Sequence, residues 1–247
     1  MLGCSISKRK REMRSILSKA VALFSPRHVP ASKQPAMQWS YPTLQQRHLE
    51  NAKLFASREE LLKHFAPQLL HGAVAEVGVM FGDFSEVIVC LVEPGKFVAI
   101  DRFDAHMYPT IWGKSSAEIF KGMTHLEYYK RRLSICKVEP VCETGDSWDC
   151  LARWPDESFE LIYVDAGHDY ESVKKDTQVA QQKIKSSGIL IFNDYIKYSH
   201  FDDSFYGIIP AVNNLVANNR FEVVGFALQP DMYCDIAVRK LRPEQAR

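Results

Sequence analysis

The chain has 247 residues, 46% of them hydrophobic and 25% charged, with six cysteines and a formal net charge of +1. That length supports one domain with a single core, or one domain and a short arm. The composition excludes collagen-like, disordered and disulfide-scaffold classes, and no apolar run reaches the roughly 18–20 residues that a bilayer span needs. Charge is unevenly placed. Residues 1–35 hold eight lysines and arginines against the single acid Glu12, so the other 212 residues are net negative. A mildly acidic body argues against nucleic acid as the main ligand. None of the cysteines forms a C-x-x-C pair, and the plain reading is free, buried thiols in a reducing compartment, hence a cytoplasmic protein.

Residues 1–40 form a basic, amphipathic arm. Met13, Ile16, Leu17, Ala20, Val21 and Phe24 recur at helical spacing, behind a basic lead-in from Lys8 to Arg14, until Pro26 and Pro30 break the pattern. The bland reading is a helix docked on the domain or on a second copy in a homo-oligomer. Peripheral contact with an anionic membrane surface and an organelle-targeting address are the two others.

Residues 41–247 make the main domain, and from residue 73 it alternates regularly. Apolar runs at 73–79, 96–101, 138–143, 159–165 and 189–192 read as buried strands. Residues 83–92, 118–133, 147–153, 170–184 and 208–219 read as helices, with 186–188 as a turn. Asp83 and Glu86 resemble a capping box opening the first of these helices. A pair of strands, 221–228 and 233–238, closes the chain. Strands apolar on both faces and separated by helices predict an α/β fold with a mostly parallel sheet covered on both sides. In such sheets ligands bind beyond the carboxyl ends of the strands.

The chemistry-bearing residues fall at those ends. Glu76, Gly78 and Gly82 follow the first strand of the series, where glycines let a ligand approach the backbone and a helix N-terminus favours an anion. This is not G-x-G-x-x-G, and no third glycine follows at the expected place, which argues against a nicotinamide oxidoreductase. Asp101 ends the next strand, where a carboxylate suits a ribose diol. Gly145-Asp146-Ser147 follows the third, as an adenine contact or a helix cap. Asp165 ends the fourth and is followed by Gly167-His168-Asp169, while the fifth delivers Asn193-Asp194. Adjacent parallel strands would bring Asp165, Asn193 and Asp194 together, and three oxygen ligands suit Mg²⁺. His168 beside them is a candidate general base.

These ordered blocks together resemble the class I S-adenosylmethionine-dependent methyltransferases, and more narrowly the group of macrolide-sugar and catechol-type O-methyltransferases. The resemblance covers roughly residues 70–240. It implies a Rossmann-like, seven-stranded, mostly parallel sheet with helices on both faces and an antiparallel last strand. It assigns Glu76 and Gly78 to the methionine end of the cofactor, Asp101 to the ribose, and Asp146 and Ser147 to the adenine, with Gly82 and Ser85 as further cofactor-binding residues. Asp165 lies against the cofactor and, with Asn193 and Asp194, matches the family's metal ligands. The chain departs from catechol-type members by inserting Asp83 before Phe84-Ser85, by placing His168 where they carry a lysine, and by reversing their Asp-Asn to Asn193-Asp194. The implied activity is methyl transfer to a hydroxyl of a small acceptor, a sugar, polyol or phenol, with Mg²⁺ assistance and His168 as base. Residues 103–114 and 195–206, rich in aromatics, are the expected acceptor walls. The alternatives are a metal-independent O- or N-methyltransferase and a non-catalytic cofactor-binding protein.

Overall fold

A computed structural model describes residues 39–241, apart from 137, 219 and 220. The arm readings for residues 1–40 therefore fall almost wholly outside the described residues. Within them, no helix is long and apolar enough to cross a membrane.

Eight strands form the main sheet. In chain order they are β1 (Lys53–Phe55), β2 (Ala73–Val77), β3 (Lys96–Asp101), β6 (Val141–Thr144), β7 (Phe159–Val164), β8 (Ile184–Phe192), β11 (Phe221–Ala227) and β12 (Asp235–Lys240), while β4 (Thr110–Ile111) with β5 (Lys114–Ser115) and β9 (Tyr198–Ser199) with β10 (Ser204–Phe205) make two small hairpins. The spatial order is β1-β11-β12-β8-β7-β2-β3-β6. Only β12 runs against its neighbours β8 and β11; every other pairing in this sheet is parallel. The expected sheet and its antiparallel last strand are present, with β1 as an eighth strand at the β11 edge.

Side chains along the central strands alternate between two cores, as period-2 geometry requires. Val74, Phe97, Leu161, Tyr163 and Ile191 pack beneath α1 (Arg58–Leu69), α2 (Asp83–Val92) and α4 (His125–Leu133). Val77, Val98, Ile100, Ile162 and Leu190 pack beneath α5 (Ser147–Ala152), α6 (Tyr170–Lys183) and α7 (Ile208–Asn218). Each fully buried aliphatic side chain stabilises this arrangement by roughly 1.5–3 kcal/mol.

Three local expectations are corrected. The single helix over 118–133 is two, α3 (Ser116–Phe120) and α4, because Lys121 and Gly122 both take positive φ and Thr124 then caps α4 in a capping box with Glu127. Residues 186–188 do not turn; they extend β8 back to Ile184, which pairs with Phe159 across a register shift. Asp83 and Glu86 form no capping box, since the N-cap is Gly82 in the left-handed region; both acids pair instead with Arg132, at 2.6 and 2.8 Å.

Candidate active site

A cavity of about 830 Å³ opens over the ends of β2, β3, β6 and β7, within the range of small-molecule sites. Glu76, Gly78, Asp101, Asp146, Ser147, Asp165 and His168 all line it, as do Arg58, Phe84, Tyr108 and Trp112. The strand order lays these groups out in a row: Asp146 and Ser147 beyond β6, Asp101 at β3, the glycine loop at β2, Asp165 at β7.

Gly78 is held by sterics. Its φ is +84°, and a Cβ there would stand 2.0 Å from the Asp165 carbonyl oxygen, so only glycine lets the β2 and β7 loops meet. The loop that follows is pinned by Asp101. Asp101 Oδ2 accepts from the N–H groups of Val79 and Met80, both at 3.0 Å, and Oδ1 accepts from Phe103 N at 2.9 Å. A carboxylate has about four acceptor positions, so three bonds leave Asp101 one for a ligand hydroxyl. The buried His125 adds a hydrogen bond from Nε2 to Met80 O, 2.6 Å. Asp146 stands at the N-cap of α5, yet its side chain caps nothing and faces the cavity.

Glu76 lies fully inside the molecule at the floor of this row. The hydroxyl of Ser85 donates to it, and Tyr129 OH donates to Ser85 Oγ at 3.1 Å. Ser85 is thus buried behind Glu76 and is absent from the cavity wall. Gly82 is likewise absent from that wall; a Cβ on it would meet Leu133 and Tyr129. Burial pushes the Glu76 carboxyl up to about 8, against the lowering effect of the Ser85 hydrogen bond, with Asp165 nearby adding repulsion. A cationic group entering the cavity would reverse that shift and ionise it.

Residues 75–195 match the model of a family described as a methyltransferase domain. The strand order and the position of the cavity agree with it. The body of the chain is a class I S-adenosylmethionine-dependent methyltransferase domain. Solved structures share its fold at low identity. The O-methyltransferase TomG from Streptomyces achromogenes, solved with S-adenosylmethionine, aligns with a TM-score of 0.55 and 13% identity over 75% of this chain and 80% of that one. A putative rRNA methylase from Clostridium thermocellum gives 0.55 and 13% over 77% and 98%. A putative caffeoyl-CoA O-methyltransferase from Staphylococcus aureus gives 0.52 and 14% over 73% and 82%. Acceptors as different as RNA and small molecules share this fold, so the fold itself does not name the acceptor. No curated protein matches the chain in sequence.

At the β7–β8 end of the methyltransferase, charges face one another. Ligand atoms of Asp165, His168 and Asp194 lie within 4.8 Å of one another. His168 Nε2 is 3.3 Å from Asp194 Oδ2 and 3.7 Å from Asp165 Oδ1, but it is aligned with neither and has no hydrogen-bond partner. Burial alone would lower the His168 pKa; the facing Asp165 and Asp194, with Asp202 behind, outweigh it and raise the pKa. Burial and the Asp165 charge push the Asp194 carboxyl up to about 6. The ring of His168 is stacked on Tyr206, centroids 4.4 Å apart and planes 7° from parallel, and the Tyr206 hydroxyl donates to Asp202.

Here the arrangement differs from the expected set Asp165, Asn193, Asp194. Asn193 Nδ2 donates to Asp165 Oδ1 at 3.0 Å, so its amide oxygen points away, 3.5 Å from Tyr163 OH. Asn193 orients Asp165, and His168 takes the third place in the cluster. The acceptor walls also differ. Tyr108, Ile111 and Trp112 from residues 103–114 line the cavity, whereas residues 195–206 are absent from its wall and act from behind through Tyr206.

Arg58, at the start of α1, has no counterpart among the expected site residues. It lies upstream of the segment that carries the strand-end motifs, and no pattern in the sequence marks it.

Proposed function

We propose that the chain methylates a hydroxyl of a small, neutral acceptor, and that a hard divalent cation such as Mg²⁺ is held by Asp165, His168 and Asp194. The observation that supports the cation most is the orphaned Nε2 of His168, turned toward two carboxylates without bonding to either. Asp165 and Asp194 supply the oxygen donors that Mg²⁺ prefers, while the imidazole of His168 shifts the set toward a borderline divalent ion such as Mn²⁺. When bound, such a cation would lower the pKa of an acceptor hydroxyl beside it. This changes the expected role of His168: an imidazole that ligates through Nε2 cannot also take a proton there.

The neutral acceptor follows from charge. Glu76, Asp83, Asp101, Asp104, Asp146, Asp165 and Asp169 line the cavity against two arginines, Arg58 and Arg102. That wall repels a polyanion, so an RNA acceptor is disfavoured despite the RNA methylases that share the fold. The rim favours a flat or ring-shaped acceptor. Trp112 is 78% exposed at the tip of the β4–β5 hairpin, at φ +46°, and stands edge-on to Phe81 at 5.5 Å. A bulky residue in the left-handed region at a cavity mouth is a local cost that function can explain. A sugar or phenolic ring would stack on it.

The metal-free reading keeps His168 as the base, and the raised pKa and the 3.3 Å approach to Asp194 favour an ion pair there. Calorimetric titration of the full chain with MgCl₂ or MnCl₂, alongside the Asp194→Asn variant, separates the two readings. One saturable site that the variant loses supports the cation. Absence of binding by the wild type at millimolar metal, with turnover unaffected by chelator, would leave the metal-free enzyme.

A further inference from the structure

We infer that Arg58 is the anchor for the carboxylate of the cofactor's amino-acid tail. The inference rests on reading the cavity as the S-adenosylmethionine site. Arg58 is the first residue of α1, after the N-cap Ser57, and lies outside the segment 75–195 that matches the methyltransferase family.

The cavity poses a charge problem that Arg58 solves. The amino-acid tail of S-adenosylmethionine carries an ammonium and a carboxylate a single carbon apart. Glu76 and Asp165 suit the ammonium. A carboxylate brought to the same place would be repelled by both, unless a cation stood beside it. Only two arginines line the cavity. Arg102 is 62% exposed at its rim and already paired with Asp104 at 2.6 Å. Arg58 lies inside, next to Glu76, Phe84 and Asp165.

Its guanidinium is oriented but barely used. Cζ stands 4.1 Å over the ring of Phe84, in the first turn of α2, a cation–π contact that holds the guanidinium there. Nη1 donates to Tyr163 OH at 3.4 Å and lies 3.9 Å from Asp165 Oδ2, both long contacts. Guanidinium offers five N–H donors in a planar fork that matches a carboxylate. A fork fixed from below, with most donors unspent and facing a cavity, is preorganised for a bidentate anion. α2 also begins at this wall, and the N–H groups of a helix's first turn, which have no acceptor within the helix, favour a carboxylate further.

The test compares two ligands that differ only in the tail: S-adenosylhomocysteine, and 5′-methylthioadenosine, which keeps the nucleoside thioether and lacks both ammonium and carboxylate. Calorimetry on the full chain should show Arg58→Ala weakening S-adenosylhomocysteine about 10–100-fold, the scale of a charge-assisted pair, while 5′-methylthioadenosine binds within about twofold of wild type. Arg58→Lys should recover part of the loss, since it restores the charge without the fork. Undiminished binding of S-adenosylhomocysteine by Arg58→Ala would overturn the assignment. So would an equal loss for both ligands, which would make Arg58 a structural support, or a loss confined to acceptor KM. If the wild type bound neither ligand, the cofactor reading itself would fall, an outcome distinct from these.

Discussion

The two ends of the cavity are built on opposite principles. At the β2–β3 end the key carboxylate is spent on the protein: Asp101 holds three backbone N–H groups and fixes the glycine loop before any ligand arrives. At the β7–β8 end the charged groups are left against one another, with Asp194 pushed up to about 6 and His168 Nε2 unbonded. The first end gains stability from its polar groups and is preorganised for a ligand of constant shape. The second forgoes stability, as sites that complete themselves only with a ligand do. The difference fits the proposed reading, with the constant cofactor at the first end and the acceptor at the second.

Mutation at Asp101 should break this contrast most visibly. Asp101→Ala leaves three N–H groups in a largely enclosed loop without their acceptor. It should cost about 2–4 kcal/mol of folding stability by urea denaturation and weaken S-adenosylhomocysteine as well. If stability is unchanged while affinity falls, Asp101 serves the ligand alone and the preorganised loop is not its work.

The opposite sign is expected at the other end, and pH sharpens it. Asp194 has a folded-state pKa of about 6, above its ordinary 3.8. Between pH 4 and 6 the folded chain therefore holds a proton that the unfolded chain has released, so stability falls as pH rises through that window. Asp194→Asn removes this loss. Measured in chelator at pH 8, the variant should be about 1–2 kcal/mol more stable than wild type, and the two should converge near pH 4. A variant less stable at pH 8 would show that the His168–Asp194 contact is a net stabilising pair.

Much of the first end was legible in the sequence and little of the second. Gly78, Asp101 and Asp146 announce themselves because each falls at or just beyond the end of a strand-like run, and strand ends in a parallel sheet share one edge. Side-chain direction is not written that way. Asn193 and Asp194 are neighbours and both reach the cluster, but Asn193 gives its amide N–H to Asp165 and its amide oxygen lies toward Tyr163, while Asp194 faces His168. Tyr163 is held in turn by Asp235 from β12, its hydroxyl 2.7 Å from Asp235 Oδ2, and that contact spans 72 residues. The family motif puts Ser85 with the cofactor, yet in the first turn of α2 it faces inward to Glu76 and Tyr129. Arg58 was invisible because its helix packs on the sheet from a part of the chain with no motif. The break at Lys121-Gly122 was obscured by apolar spacing that runs on through both helices.

On this reading the row from Asp146 to Asp165 is a preformed S-adenosylmethionine site. Titration of the full chain with S-adenosylhomocysteine in a calorimeter tests it most directly, without needing an acceptor or a metal. One site per chain is expected, with a dissociation constant of about 1–100 µM, the usual scale for enzyme ligands, present in excess chelator. Absence of saturable binding up to about 1 mM would contradict it.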